Sequence, residues 1–125
     1  MKKNFFIYFL LFFSFLSGAG YAGDSVFPGL YFSDRNGWLT GENGSIFHTT
    51  DGGYTWRTLT CGTKDRLVDV CAIDEKDIWV LSSGGTLFHS KDEGLTWSYF
   101  ITGCSFMTHI YFADKNNGWV CGAGG

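Results

Sequence analysis

The chain has 125 residues, a length that fits one domain. Aromatic residues make up 19% of it, beside 18 glycines and a single proline. That mixture suits short strands joined by tight turns, and it excludes a helical bundle or a disordered chain. With Lys2 and Lys3 set aside, seven basic residues face twelve acidic ones, a net charge of about −5, which argues against nucleic acid or an anionic membrane as partner.

In chain order, the first feature is N-terminal. Lys2 and Lys3 precede an apolar run from Phe5 to Leu16, broken only by Ser14, and small residues then lead to Ala22. This is the order of a secretory signal peptide, so residues 1–22 are expected to be removed and the chain exported, to the periplasm, the cell surface or beyond. The run of about twelve apolar residues falls short of the roughly 20 that cross a bilayer, so no membrane insertion is expected after cleavage.

Residues 23–125 form a repeat. Thr49-Thr50-Asp51-Gly52-Gly53-Tyr54-Thr55-Trp56 returns 41 residues later as Ser90-Lys91-Asp92-Glu93-Gly94-Leu95-Thr96-Trp97. Trp38, Trp79 and Trp119 recur at intervals of 41 and 40, and Phe47-His48 returns as Phe88-His89. Each complete unit divides into four short apolar stretches separated by turn residues. The first unit gives Leu30–Phe32, Gly37–Thr40, Ser45–Thr49 and Trp56–Leu59. The second gives Leu67–Ile73, Asp77–Ser82, Thr86–Ser90 and Trp97–Phe100. The third gives Met107–Phe112 and Gly118–Gly122. Four strands per roughly 40 residues is the arithmetic of a β-propeller blade. The expected fold is therefore all-β, an incomplete propeller of four-stranded antiparallel blades at 26–60 and 67–101 with a partial blade at 106–125. Asn-Gly and Gly-Gly in the connectors are expected to supply the positive φ of tight turns.

The repeated octapeptide has a mechanical reading. The carboxylates of Asp51 and Asp92 can accept N–H groups of the turn that follows them. Gly53 and Gly94 take backbone angles that other residues resist. Trp56 and Trp97 return beneath the turn and bury an apolar face. Thr49, Thr55, Ser90 and Thr96 complete the motif, and Trp38, Trp79 and Trp119 form the core of the repeat. Nothing in this staple needs a ligand.

These residues carry a resemblance. The octapeptide is the Asp-box of the bacterial neuraminidase repeat, found in sialidases, sortilin-type receptors and xyloglucanases. The longer pattern, with Phe32, Asp34, Gly37, Trp38, Gly41, Gly44, Ile46, Thr49, Asp51, Gly52, Gly53, Thr55 and Trp56 in place, resembles the photosystem II stability/assembly factor family. The spacing from Asp34 to Gly37 is one residue shorter than that pattern, and Ile78 replaces the glycine before Trp79. The resemblance covers about residues 30–125 and implies a non-enzymatic propeller scaffold that binds protein partners, with no cofactor. Its binding surface is expected on loops such as Asn43–Gly44 and Ser83–Gly85. The alternative is the non-catalytic start of a glycan-binding protein or of a sialidase-like or xyloglucanase-like glycoside hydrolase.

Other chemistries fit poorly. Arg35, Arg57 and Arg66 equal a sialidase arginine triad in number, but Arg35 lies in a turn and Arg57 follows an Asp-box tryptophan. His48 and His89 sit at equivalent positions of successive units, where sheets pack about 10 Å apart, so they cannot share a zinc ion. Asp74, Glu75 and Asp77 lack the order of a calcium loop and read as a solvated turn. Cys61, Cys71, Cys104 and Cys121 have no C-x-x-C spacing and are expected either to form two disulfides or to remain buried thiols. The third unit stops before its own Asp-box, so the sequence is expected to be a piece of a longer protein, or else to assemble with further copies.

Overall fold

The computed structural model describes residues 29–123. The signal-peptide reading of residues 1–22 lies outside them. Among the described residues, ten strands form three antiparallel sheets. The first holds β1 (Gly29–Ser33), β2 (Asn36–Thr40), β3 (Ser45–Thr49) and β4 (Arg57–Thr60), side by side in chain order. The second repeats this with β5 (Leu67–Ala72), β6 (Ile78–Ser82), β7 (Thr86–Ser90) and β8 (Ser98–Ile101). The third pairs β9 (Met107–Asp114) with β10 (Asn117–Gly122). The first strands of the three sheets adjoin one another, β1 against β5 and β5 against β9. This is the radial stacking of propeller blades, and the sheets are called blades 1, 2 and 3 below.

Side chains alternate across each strand, so every inner blade buries both faces. Trp38 and Ile46 of blade 1 meet Leu67, Val70, Ala72, Ile78, Val80 and Phe88 of blade 2. On the other face of blade 2, Cys71 and Leu81 meet Ile110 of blade 3, with Trp79, Phe112 and Val120 packed around them. Period-2 alternation thus assigns Val70 and Ala72 to one interface and Cys71 to the next.

One expectation about turns is corrected. The Asn36-Gly37 pair was expected to supply a positive φ at the first turn, but β2 already starts at Asn36, and the positive φ belongs to Asp34 (54°). Gly37 serves a different purpose. A Cβ there would come within 2.2 Å of the Phe32 ring, and at Gly118 within 2.4 Å of the Phe112 ring. Each glycine clears space for the phenylalanine paired with it across the strands. The following connector behaves as expected, with Asn43 and Gly44 at φ 55° and 68°.

Candidate functional site

Both Asp-boxes close the hairpin between the third and fourth strands of their blade, and both are satisfied internally. Asp51 Oδ1 accepts the Thr55 N–H at 2.9 Å, and Asp51 Oδ2 accepts the Thr55 hydroxyl at 2.6 Å. The Thr49 hydroxyl donates to Asp51 Oδ1 at 2.7 Å and accepts the Gly53 N–H at 3.0 Å. The Trp56 indole donates to the Gly53 carbonyl at 3.1 Å. Blade 2 repeats the set through Ser90, Asp92, Gly94, Thr96 and Trp97, with Thr96 N–H to Asp92 Oδ1 at 2.8 Å and Trp97 Nε1 to Gly94 O at 3.0 Å.

These bonds set the acidity of the two carboxylates. The slight burial of Asp51 works to raise its pKa, but hydrogen bonds from Thr55, Thr49 and Tyr54 outweigh it and hold the group at about 2. The Thr96 and Ser90 hydroxyls and the backbone of the turn hold Asp92 at about 2 as well. Hydrogen bonds to the charged form do this, because protonation would cost an acceptor. With their oxygens engaged by their own turn, these carboxylates brace the hairpin. Trp56 and Trp97 are half-buried rather than fully buried.

The three repeat-core tryptophans differ in cover. Trp38 is fully buried, Trp79 is half-buried and stacks on Phe112 at 4.7 Å, and Trp119 is 61% exposed. His48 and His89 lie flat on their cross-strand tryptophans, His48 on Trp38 at 3.7 Å and His89 on Trp79 at 3.8 Å. The equivalent histidines are wired differently. His48 Nδ1 accepts Arg57 Nε at 3.1 Å, while His89 Nε2 meets Asp77 Oδ1 at 2.7 Å. Burial, and secondarily the Arg57 guanidinium, lowers the His48 pKa to about 4.

Arg57 also reaches blade 2, donating to the Glu93 carbonyl at 3.0 Å beside the Glu93 carboxylate at 3.5 Å. Glu93 adopts φ 61°, where blade 1 has Gly52. No sequence signal marks this clasp, because it joins residues 36 positions apart in different blades. Arg66 pairs with Glu42 at 3.1 Å and Arg35 stands in the first turn, so the three arginines do not converge. Asp74 Oδ1 accepts the N–H groups of Lys76 and Asp77, both at 2.8 Å, as a turn brace. Among the described residues no group of His, Cys, Asp or Glu is placed to hold a metal ion.

The four cysteines are free thiols. Cys71 is buried, Cys61 half-buried, and Cys104 and Cys121 are exposed. Cys61 follows β4, Cys71 lies on β5, Cys104 is in the connector to blade 3 and Cys121 is on β10; the structure joins none of them in a disulfide, and the thiols are not uniformly buried. The expected binding loops are partly structural. Gly44 N–H donates to the Asp65 carbonyl at 2.8 Å, and the Gly85 carbonyl accepts the Thr102 N–H at 3.1 Å, so each turn is tied to the connector that leaves its blade. Asn43, Ser83 and Gly84 remain exposed at the tips.

No curated protein matches the chain. Among solved structures, YCF48 bound to D1 peptide superposes with a TM-score of 0.55 at 26% identity, over 61% of this chain and 25% of that one. YCF48 from Cyanidioschyzon merolae superposes with a TM-score of 0.63 at 24% identity, over 79% of this chain and 32% of that one. The chain therefore spans a quarter to a third of the length of these relatives. Residues 24–99, more than half of the sequence, match the family described as photosynthesis system II assembly factor YCF48. With its Asp-box hairpins and radially stacked four-stranded sheets, the chain belongs to this family of propeller-type repeat proteins.

Proposed function

We propose that the chain is part of an exported, non-enzymatic propeller scaffold that holds a segment of a partner protein. One observation carries the reading: a relative of the same fold, 26% identical, is seen bound to a peptide, the D1 peptide. The site geometry agrees with it. The repeated carboxylates are consumed by their own hairpins, and the arginines that a sialidase would gather around a substrate carboxylate stand apart. The export part of the proposal rests on the order of residues 1–22 alone.

Two measurements test it. In the first, the full chain is titrated with extended peptides, the D1 peptide among them, and separately assayed on chromogenic sialosides and xyloglucan. Saturable binding of at least one peptide, without glycoside turnover, is expected. Turnover without peptide binding overturns the scaffold reading. In the second, the chain is expressed with its own N-terminus and the product is sequenced. A mature species starting at or near Gly23 is expected, and an intact N-terminus in the membrane fraction overturns export.

A further inference from the structure

The outermost strands of blades 1 and 2 occupy the same place and present different chemistry. Their registers on the third strand make Ser98 the equivalent of Arg57, Tyr99 of Thr58, Phe100 of Leu59 and Ile101 of Thr60. Blade 1 therefore shows an arginine and two threonines at its edge, whereas blade 2 shows Tyr99 at 67% and Ile101 at 76% exposure. Phe100 turns towards the face that meets blade 3, with its ring 5.9 Å from that of Trp79. Tyr99 pairs with Phe88 of the blade 1–2 core, so Tyr99 and Ile101 lie on the side of blade 1. The four strands of blade 1 are all in place and still leave them uncovered.

The backbone of β8 is as open as its side chains. Among the described residues β8 pairs with β7 alone. The Thr102 N–H donates to the Gly85 carbonyl at 3.1 Å. Hydrogen-bonded and non-bonded pairs alternate along an antiparallel ladder. Phe100 and Ser98 therefore turn their N–H and C=O groups to β7, and Tyr99 and Ile101 turn theirs outward. Edge strands are kept from pairing by charges, prolines, bulges or short length. Ser98–Ile101 has no charge and no proline, and its register on β7 runs without a shift. Only length limits it, since its four residues span about 13 Å.

We propose that β8 takes an extended, uncharged segment of a partner protein as a fifth strand of blade 2. The inference rests on the scaffold reading above and assigns it a surface and a mode of binding. Main-chain hydrogen bonds to Tyr99 and Ile101 attach the segment. Valine, isoleucine or aromatic residues at its alternate positions lie beside the two exposed side chains. The size of the edge selects this occupant over a second copy of the chain. A stable protein–protein interface buries about 1,200 Å² or more, far beyond what an edge of about 13 Å offers, whereas a short strand needs no more. Charge points the same way. Residues 23–125 carry a net charge of about −5, so two copies repel each other and an uncharged segment is not repelled.

The probe is acetyl-Thr-Val-Thr-Val-Thr-amide, with acetyl-Thr-Pro-Thr-Pro-Thr-amide as the control that cannot complete a ladder. Binding to the full chain is followed by the amide resonances of Tyr99 and Ile101 and by their hydrogen exchange. The expected result is a saturable shift of both amides, at least fivefold slower exchange at saturation, and at least tenfold weaker binding of the proline peptide. Tyr99→Lys with Ile101→Lys puts charge on the edge at two exposed positions and should weaken binding at least fivefold. If that variant does not fold, Tyr99→Thr with Ile101→Thr, which copies the chemistry of β4, decides in its place and should weaken binding to the same degree. Equal binding of the proline peptide, no shift at Tyr99 and Ile101, or unchanged binding in the deciding variant overturns the proposal. Shifts of these amides that grow with protein concentration alone, beside a dimer in sedimentation, assign the edge to a second copy and overturn it too. An extended peptide that binds wild type and variant equally overturns the β8 edge but leaves the scaffold reading standing. Failure of every extended peptide on the wild type, the D1 peptide included, removes the scaffold reading itself and this proposal with it.

Discussion

Blades 1 and 2 share a staple but not a core. Their Asp-boxes superpose bond for bond: hydroxyl to carboxylate, carboxylate to the N–H four residues on, indole to the glycine carbonyl. Their faces diverge. Blade 1 pairs Phe32 with Gly37, and blade 2 pairs Ala72 with Ile78. His48 is held by an arginine of its own blade, and His89 by an aspartate. The staple is local, closing within eight residues, so it works in any blade. The faces must fit a neighbour, so each is free to change only together with the surface opposite. Repeats of this kind keep what is local and vary what is shared.

The comparison is most easily broken at the tryptophans. Trp38→Ala removes a fully buried indole from the blade 1–2 core and should cost about 3–5 kcal/mol. Trp119→Ala, at the equivalent place in blade 3 but 61% exposed, should stay within about 0.5 kcal/mol. Urea melts of the two variants check this. Similar costs would mean that cover by the next blade does not set the contribution of this position.

A smaller effect separates staple from core. Asp51→Ala leaves the Thr55 N–H and two hydroxyls without their acceptor and should cost about 1–2 kcal/mol. Asp92→Ala should lower the melting temperature in the same direction, because its hydrogen bonds are the same. A fall for one variant and none for the other would show that the two staples are not interchangeable.

Acid should dissect the same groups in order. His48 has a folded pKa of about 4 against 6.5, so between these values the unfolded chain binds the proton first. The stability that neutral His48 contributes is fully present above pH 6.5 and is lost as the pH falls to about 4. Asp51 and Asp92, at about 2 against 3.8, contribute stability that is present above pH 3.8 and is lost as the pH falls to about 2. Urea midpoints measured at pH 7.5, 4 and 2.5 should fall at both steps. His48→Phe should flatten the upper step and leave the lower one. An upper step that persists in that variant assigns it to another group.

What the sequence made legible follows the same division. Ser45–Thr49 and Thr86–Ser90 were readable to the residue, because alternation and the fixed distance to the Asp-box mark both ends. The staple bonds were readable because Asp, Gly, Thr and Trp lie within one octapeptide. The stack of His48 on Trp38 was not, since it depends on cross-strand register. The Arg57–Glu93 clasp and the Ala72–Ile78 pair that replaces the Phe–Gly pair of blade 1 were illegible for a stronger reason. They depend on which blade faces which, and Gly37, expected to supply a positive φ, serves instead to make room for the ring of Phe32.

The gentlest test exchanges one wiring for the other. Asn36 occupies in blade 1 the position of Asp77 in blade 2, two residues before the tryptophan that carries the stacked histidine. Asp77 bonds His89 Nε2, whereas Asn36 turns to Glu75 of the next blade, and His48 Nε2 is buried with no partner among the described residues. Because Nδ1 accepts from Arg57, Nε2 carries the proton of the neutral ring. Asn36→Asp offers it a carboxylate. The new side chain cannot donate to Glu75 and is repelled by it, which favours the rotamer that faces His48. An opposite charge at hydrogen-bond distance stabilises the imidazolium, so the His48 pKa should rise by about one unit or more from about 4. Global stability at pH 7.5 should move by no more than about 0.5 kcal/mol, since position 36 lies at the rim. An NMR titration of the His48 ring measures the shift directly. A value that stays near 4 would show that burial and the Arg57 guanidinium dominate, and that the two histidines differ for reasons deeper than the residue at position 36.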